Sequence, residues 1–589
     1  MVRTKIRENG VVSMKMTKKF GSLAIGFVLC FVVVLGGCSS SDSSKDPASE
    51  VAADGRKAGE NGFIANRDLK GRIFLENDGA QLPADQTGNP VALKIKEKTG
   101  MTLDWQSTGA TDGLQELTVT LATGDLPDVI EAYLDHGGRP EMAVLLKGAR
   151  EGLFTDLRPY LEKTKVLKKY LDPNFLPRDT RENVMFRPEF DGKVYFIHMN
   201  IPAEDTTDAD RYHYRAGMWI RADIAEALKV DPSKIRTEDE LYQLAVRIKQ
   251  GNFKDNNGKP ITPIGPRKWG GDIVSTLFKN DDFGNGTRFD VDKDGKVKHV
   301  AETDYALKQV EFVQKLLKEG LLDKEAFSMD GVRAEEGMNN GSYGIISYAN
   351  IALDSLALYE KVKYLPMDQL ENYKGETAIY EKEKSGSQVW AIPATTENPE
   401  QIVQFADYLA SKEGKALWQY GIEGQDYSVK DGKYIYSNDV VQMMTRSPEK
   451  VKDVIPTFWG GLLGRTDMNN VKDFGELVLG QNSQPDKFKL MFELMNYGNP
   501  TYKYWDGYSA ISYLSEVPEI EAGLKPVLDT YKDVLVKSFY APSLDEAKKY
   551  LDEYRQQLKS AGVEQFEQYL QEKYDKDPGS VVFYMDATF

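Results

Sequence analysis

Three of the seven tryptophans stand where a flat apolar ring is free to meet a ligand. Trp269 lies in the run Pro266-Arg267-Lys268-Trp269-Gly270-Gly271, and Trp459 in Thr457-Phe458-Trp459-Gly460-Gly461. Each adjoins a glycine pair in a stretch without helical period, so one indole face is left uncovered. Trp505, between Tyr504 and Asp506-Gly507, is a third platform of this kind. Rings of this type, set among short polar groups, suit the apolar faces and polar edges of sugars. The alternative is that each indole plugs a gap in the surface. Trp418 falls on the apolar face of a helix, and Trp219 and Trp390 fall in strands, so burial is expected for these three.

The polar candidates sit near punctuation in the chain. Gly124 ends a helix, Pro127 turns the chain outward and Asp128 starts a strand, a place where α/β sheets present ligand contacts. Tyr133 and Tyr195 lie next to strand ends. Glu423 stands between Gly421 and Gly424, where the backbone can turn sharply after a helix; a plain helix cap is the alternative. Arg267 and Lys268 would suit a sugar carboxylate, or simply be solvated.

Asp290, Asp292 and Asp294 alternate before Gly295, as in the first half of a calcium loop. The match then fails: position nine is Lys298, position twelve is Ala301, and Glu302 comes one residue late. A hairpin turning on Lys293-Asp294-Gly295 fits better, leaving calcium as the weaker reading and no cofactor implied. Catalytic motifs are missing. His136, His198, His213 and His299 are scattered, and there is no metalloprotease helix, nucleophile elbow or phosphate loop. With 91 acidic residues, a glycosidase pair is not exposed by spacing, so a polysaccharide hydrolase stays open as an alternative.

Cys38 carries a different chemistry. Arg3, Lys5, Arg7, Lys15, Lys18 and Lys19 precede an apolar run from Phe20 to Leu35, followed by Gly36, Gly37 and Cys38. The order is that of a secretory signal, and Leu35-Gly36-Gly37-Cys38 looks like a lipobox. Residues 1–37 are expected to leave and Cys38 to take a lipid; an uncleaved anchor is the alternative. Met14 or Met16 would also serve as the start. The mature chain then holds no free thiol and no disulfide. Cleavage removes six basic side chains and one acid, Glu8, from a chain already at −16. Such an acidic body is unsuited to phosphate backbones. Residues 38–62, rich in Ser, Asp, Ala and Gly, read as a flexible tether.

The elements that must position these groups alternate in type. Gly71–Asn77 reads as a strand, Asn89–Gly100 as a helix stopped by glycine, and Met101–Ser107 as a second strand. Helices follow with Asp112 and Gln115, Thr237 and Glu240, and Ser543 and Glu546 at their starts. Short apolar strands lie at 217–223, 344–348 and 389–394. At 589 residues, two or more lobes are expected.

Four stretches together resemble the extracellular solute-binding proteins of bacterial ABC importers, in particular the large lipoproteins linked to oligosaccharide uptake. They are 121–130 (LATGDLPDVI), 152–162 with 191–198, 218–228 with 318–327, and 389–427. The closing run 560–575 fits the same pattern. The resemblance implies a two-lobe α/β fold of the periplasmic-binding-protein type with an interlobe ligand cleft. Lobe one would take 63–195 and 389–419, lobe two 218–360 and 420–589, with crossings at 196–217 and 361–388. It further implies a monomer held by lipid on the outer membrane face, passing an oligosaccharide to a permease without catalysis. A peptide-binding or sensor lipoprotein is the remaining alternative. Some relatives carry a calcium loop after the Thr-x-x-Glu helix; here 254–263 is shorter and lacks the closing Asp-Glu, so no metal is carried over.

Overall fold

The computed structural model describes residues 52, 55–74, 82–107, 113–134, 140–176, 180–198, 216–267, 289–292, 294–349, 361–367, 370–371, 379–382, 388–430, 433–455, 477–478, 493–505 and 508–583. Cys38, Lys268, Trp269 and Trp459 lie outside the described residues. No helix among the described residues is long and apolar enough to cross a membrane.

Local signals explain the first sheet. Strands Arg67–Ile73 and Met101–Ser107 pair in parallel, so a helix must carry the chain back between them. That helix, Pro90–Thr99, starts on Asn89, whose Oδ1 accepts from the Val91 N–H at 2.9 Å. It ends on Gly100 at φ 78°, where a Cβ would come within 2.4 Å of the Ala65 carbonyl oxygen. Its buried face is Val91, Ala92, Ile95 and Thr99. The full sheet runs Met101–Ser107, Arg67–Ile73, Val129–Tyr133, Gln388–Ala391, Phe196–His198.

A second sheet runs Tyr364–Pro366, Ala216–Arg221, Tyr343–Ala349, Thr262–Arg267. The expected capping box is formed there: Thr237 accepts from the Glu240 N–H, and Glu240 accepts from the Thr237 N–H, opening helix Glu238–Gln250. Helix Asp304–Lys318 joins this sheet through Leu321, whose carbonyl accepts from the Ile264 N–H at 2.9 Å. The C-terminal helices pack on it in turn. Gln314 donates to the Ser538 carbonyl at 2.8 Å, and Phe327 meets Phe539 at 4.9 Å.

Two boundaries differ from the sequence reading. Order begins before residue 63, because Arg56 donates to the Glu97 carbonyl at 2.8 Å, at the end of helix Pro90–Thr99. The second difference concerns strands Tyr427–Lys430 and Lys433–Tyr436 and helix Asn438–Arg446. With Tyr420 and Ile455 they build a small separate core. The hydrogen bonds of Asp453 hold this segment to the first sheet's side, not to the second lobe. Its carbonyl accepts from Asn89 Nδ2, and its Oδ1 accepts from the Ala84 N–H at 3.0 Å. The physical reason is that Asn89, having used its oxygen as a cap, still has an amide donor to satisfy.

The aspartate run forms the hairpin. Asp290 pairs with Lys298 and Val291 with Val297. Asp292 Oδ1 accepts from the Asp294 N–H at 2.9 Å and the Lys296 N–H at 2.8 Å, which closes the turn. Asp290, Asp292 and Asp294 do not assemble a metal-ligand group; among the described residues no cluster of three or more such side chains exists. The hairpin docks on helix Val563–Lys576. Glu567, buried, accepts from the His299 N–H at 2.8 Å and from Lys298 Nζ at 2.7 Å, and Gln571 accepts from the Val297 N–H at 2.8 Å.

Glu302 shares this junction. Burial first, then the Glu567 carboxylate beside it, push its carboxyl up to about 8, against the opposing pull of Lys298. A carboxyl raised in the folded state keeps a proton that the unfolded chain loses near pH 4.5, so its stabilisation is full below that pH and is lost as pH rises through about 8. Glu302→Gln removes the titration. Relative to the parent, the variant is expected to gain melting temperature steadily between pH 5 and pH 9. A pH-independent offset between the two would contradict the assignment.

Candidate functional site

The site follows from where the strands stop. In the first sheet, Arg67–Ile73, Met101–Ser107, Val129–Tyr133 and Phe196–His198 all end on one edge, and the antiparallel strand Gln388–Ala391 begins there. In the second sheet, Thr262–Arg267, Tyr343–Ala349 and Tyr364–Pro366 end on one edge, and Ala216–Arg221 begins there. Among the described residues, two passages lead directly from a strand of one sheet to a strand of the other, from His198 to Ala216 and from Pro366 to Gln388. Both crossings leave and arrive at these same two edges. Both crossings therefore run between the carboxyl edges of the two sheets, the position at which open α/β sheets take ligands.

Two buried indoles pack on the first sheet. Trp105 lies over Gly71, where a Cβ would come within 2.4 Å of its ring. Trp105 meets Trp390 edge-on, with ring centroids 5.5 Å apart. Both indoles are buried, and neither Nε1 has a hydrogen-bond partner among the described residues. Glu131 sits in register between Ile73 and Trp390 and is only 1% exposed. Sequence reasoning passed over it, although a charge inside the apolar strand Val129–Tyr133 was a visible signal.

Two of the expected site residues pair with the second crossing. Tyr133, half-buried, is the last residue of its strand and pairs with Gln388, where the second crossing lands. Trp505 ends strand Tyr502–Trp505, which pairs in parallel with Ile379–Lys382 inside that crossing, Trp505 opposite Lys382. Arg267 is the last position of its strand, at the second-sheet edge, beyond a register shift after Ile264.

Three others lie elsewhere. Asp128 is at the start of its strand, on the opposite edge, and its carboxylate is already engaged: Arg67 pairs with it at 3.2 Å and the Lys70 N–H donates to it at 2.9 Å. Tyr195 precedes its strand instead of following it, and is buried edge-on against Phe190 at 5.0 Å. Glu423 is exposed on a tight turn closed by Asp426, which accepts from the Ile422 N–H at 2.7 Å. Trp418, Trp219 and Trp390 are buried.

The loop after helix Glu238–Gln250 does not fit a calcium ion. Asp255 Oδ1 accepts from the Asn257 and Lys259 N–H groups at 2.9 and 2.8 Å, and Oδ2 accepts from Asn340 Nδ2 at 2.7 Å. Its carboxylate closes the loop on itself, and Lys259 adds a like charge.

The sequence profile of the bacterial extracellular solute-binding protein family matches residues 77–416. The chain belongs to this family. Lipoprotein LipO of Bacillus subtilis is 22% identical over 445 residues, covering 72% of this chain and 76% of LipO. The fructooligosaccharide ABC transporter substrate-binding protein FusA of Streptococcus pneumoniae is 25% identical over 320 residues, covering 53% of this chain and 54% of FusA. Among solved structures, the alginate-binding protein AlgQ2 without calcium ion superposes with a TM-score of 0.62 at 22% identity, over 86% of this chain and 98% of that one. FusA in complex with kestose gives 0.61 at 20% identity, over 87% and 99%. The fold is thus the two-lobe α/β architecture of solute-binding proteins.

Proposed function

We propose that this chain is the capture subunit of an ABC importer, lipid-anchored outside the cell, which closes two lobes around an oligosaccharide and passes it to a permease. The observation that carries the reading is that both crossings join the carboxyl edges of the two sheets, with strand Tyr502–Trp505 paired to Ile379–Lys382 inside the second crossing. Tyr133, paired with Gln388, and Trp505, opposite Lys382, are the proposed ring platforms of this site. Trp269 and Trp459 remain candidates from their glycine-flanked sequence. FusA and AlgQ2, named for fructooligosaccharide and alginate, support a carbohydrate over a peptide. No covalent step is assigned, because the family is one of binding proteins.

A ligand touching both lobes binds the closed form better than the open one and so shifts the population. Any ligand of the native state adds stability, about 2.7 kcal/mol at roughly 100 times its dissociation constant. Thermal unfolding in the presence of kestose, nystose, alginate oligosaccharides and a peptide mixture tests the class. A rise with at least one sugar, and an intact sugar afterwards, is expected. A rise only with peptides contradicts the carbohydrate reading, and new reducing ends contradict the absence of catalysis.

Cys38 is proposed as the lipid-bearing first residue of the mature chain. Mass spectrometry of the N-terminal peptide from membranes is expected to show diacylglycerol on Cys38; an unmodified Cys38 or retained residues 1–37 would contradict it.

A further inference from the structure

The crossings are not the only links between the lobes. Tyr508 belongs to the C-terminal body: it pairs with Val581, stands edge-on to Tyr513 at 4.9 Å, and the Tyr513 hydroxyl donates to the Ser580 carbonyl at 2.9 Å. That body is tied to the second sheet through helix Asp304–Lys318 and the hairpin ending at His299. Yet the Tyr508 hydroxyl also reaches the first lobe. Arg187 Nη1 donates to its hydroxyl oxygen at 3.1 Å, and Arg187 Cζ lies 5.7 Å from its ring centre. The hydroxyl in turn donates to Met142 Sδ at 3.7 Å. Met142 is in the first turn of helix Pro140–Arg150, which follows the strand ending at Tyr133.

This contact is built, not incidental. Arg187 is 4% exposed and Tyr508 3%. Glu189 accepts from Arg187 Nε, and Arg150 stands 3.9 Å from the same carboxylate. Phe190, in the next turn, packs on Tyr195 and Phe196 and so fixes the segment to the first sheet. A buried guanidinium that loses one acceptor is costly, so the contact resists being opened. It also anchors the end of the strap that begins at strand Tyr502–Trp505.

We propose that Arg187 and Tyr508 form an interlobe latch that limits how far the two lobes open and holds the strap bearing Trp505 against the first lobe. The latch is independent of what the cleft binds. Opening beyond its reach must expose Arg187, Glu189 and the Tyr508 hydroxyl together.

Tyr508→Phe keeps the ring and removes the hydroxyl; Arg187→Lys keeps the charge and removes the fork. Tyr513→Phe removes a comparable hydrogen bond lying wholly within the C-terminal body and serves as the control. Hydrogen exchange and small-angle scattering are measured on the ligand-free chain. Both latch variants are expected to speed exchange several-fold on both sides, at 181–190 and at 508–516, and to enlarge the radius of gyration. The control is expected to speed exchange near 508–516 and 580 alone, at unchanged radius. The latch is overturned if exchange at 181–190 stays at the parent rate in both variants, or if the radius does not change.

Discussion

The structure depends on one topological constraint: both chain crossings enter and leave the two sheets at their carboxyl edges. Two of the strands that end there, Phe196–His198 and Tyr364–Pro366, hand the chain on to the other sheet. The proposed site is placed at those edges. Tyr133 pairs with Gln388 where a crossing lands, and Trp505 pairs with Lys382 within the same crossing.

The rest of the molecule makes those edges firm. Gly71 gives Trp105 the space to lie flat on the sheet, and Trp390 buttresses it from the neighbouring strand pair. On the other side, the C-terminal helices cover helix Asp304–Lys318, and Glu567 and Gln571 satisfy the outward N–H groups of the strand Val297–His299. That strand edge is thus covered by side chains of a helix. Two stiff bodies joined by few segments suit a hinge, since packed cores do not deform continuously.

Local chemistry was legible in the sequence wherever it was decided within a few residues. The capping box of Thr237 and Glu240, the helix stop at Gly100 and the hairpin on Asp294-Gly295 each came from neighbours in the chain. Burial of Trp219, Trp390 and Trp418 followed from their apolar strands and helix face. The cleft itself was not legible. A sequence marks that Asp128 and Tyr195 adjoin strands, but not which edge of the sheet they reach; both fall on the wrong one. Asp453 bonds to Asn89 across 364 positions, and Arg187 to Tyr508 across 321, which no local pattern encodes. Glu131 was missed because strand reasoning treated its neighbours as simple core.

Small-angle scattering of the chain lacking residues 1–37, with and without the sugar that stabilises it most, tests the central claim directly. Closure of the lobes around the ligand predicts a smaller radius of gyration at saturation, reached along the same concentration curve as binding, with the sugar recovered whole. A radius unchanged at saturating sugar would contradict the account.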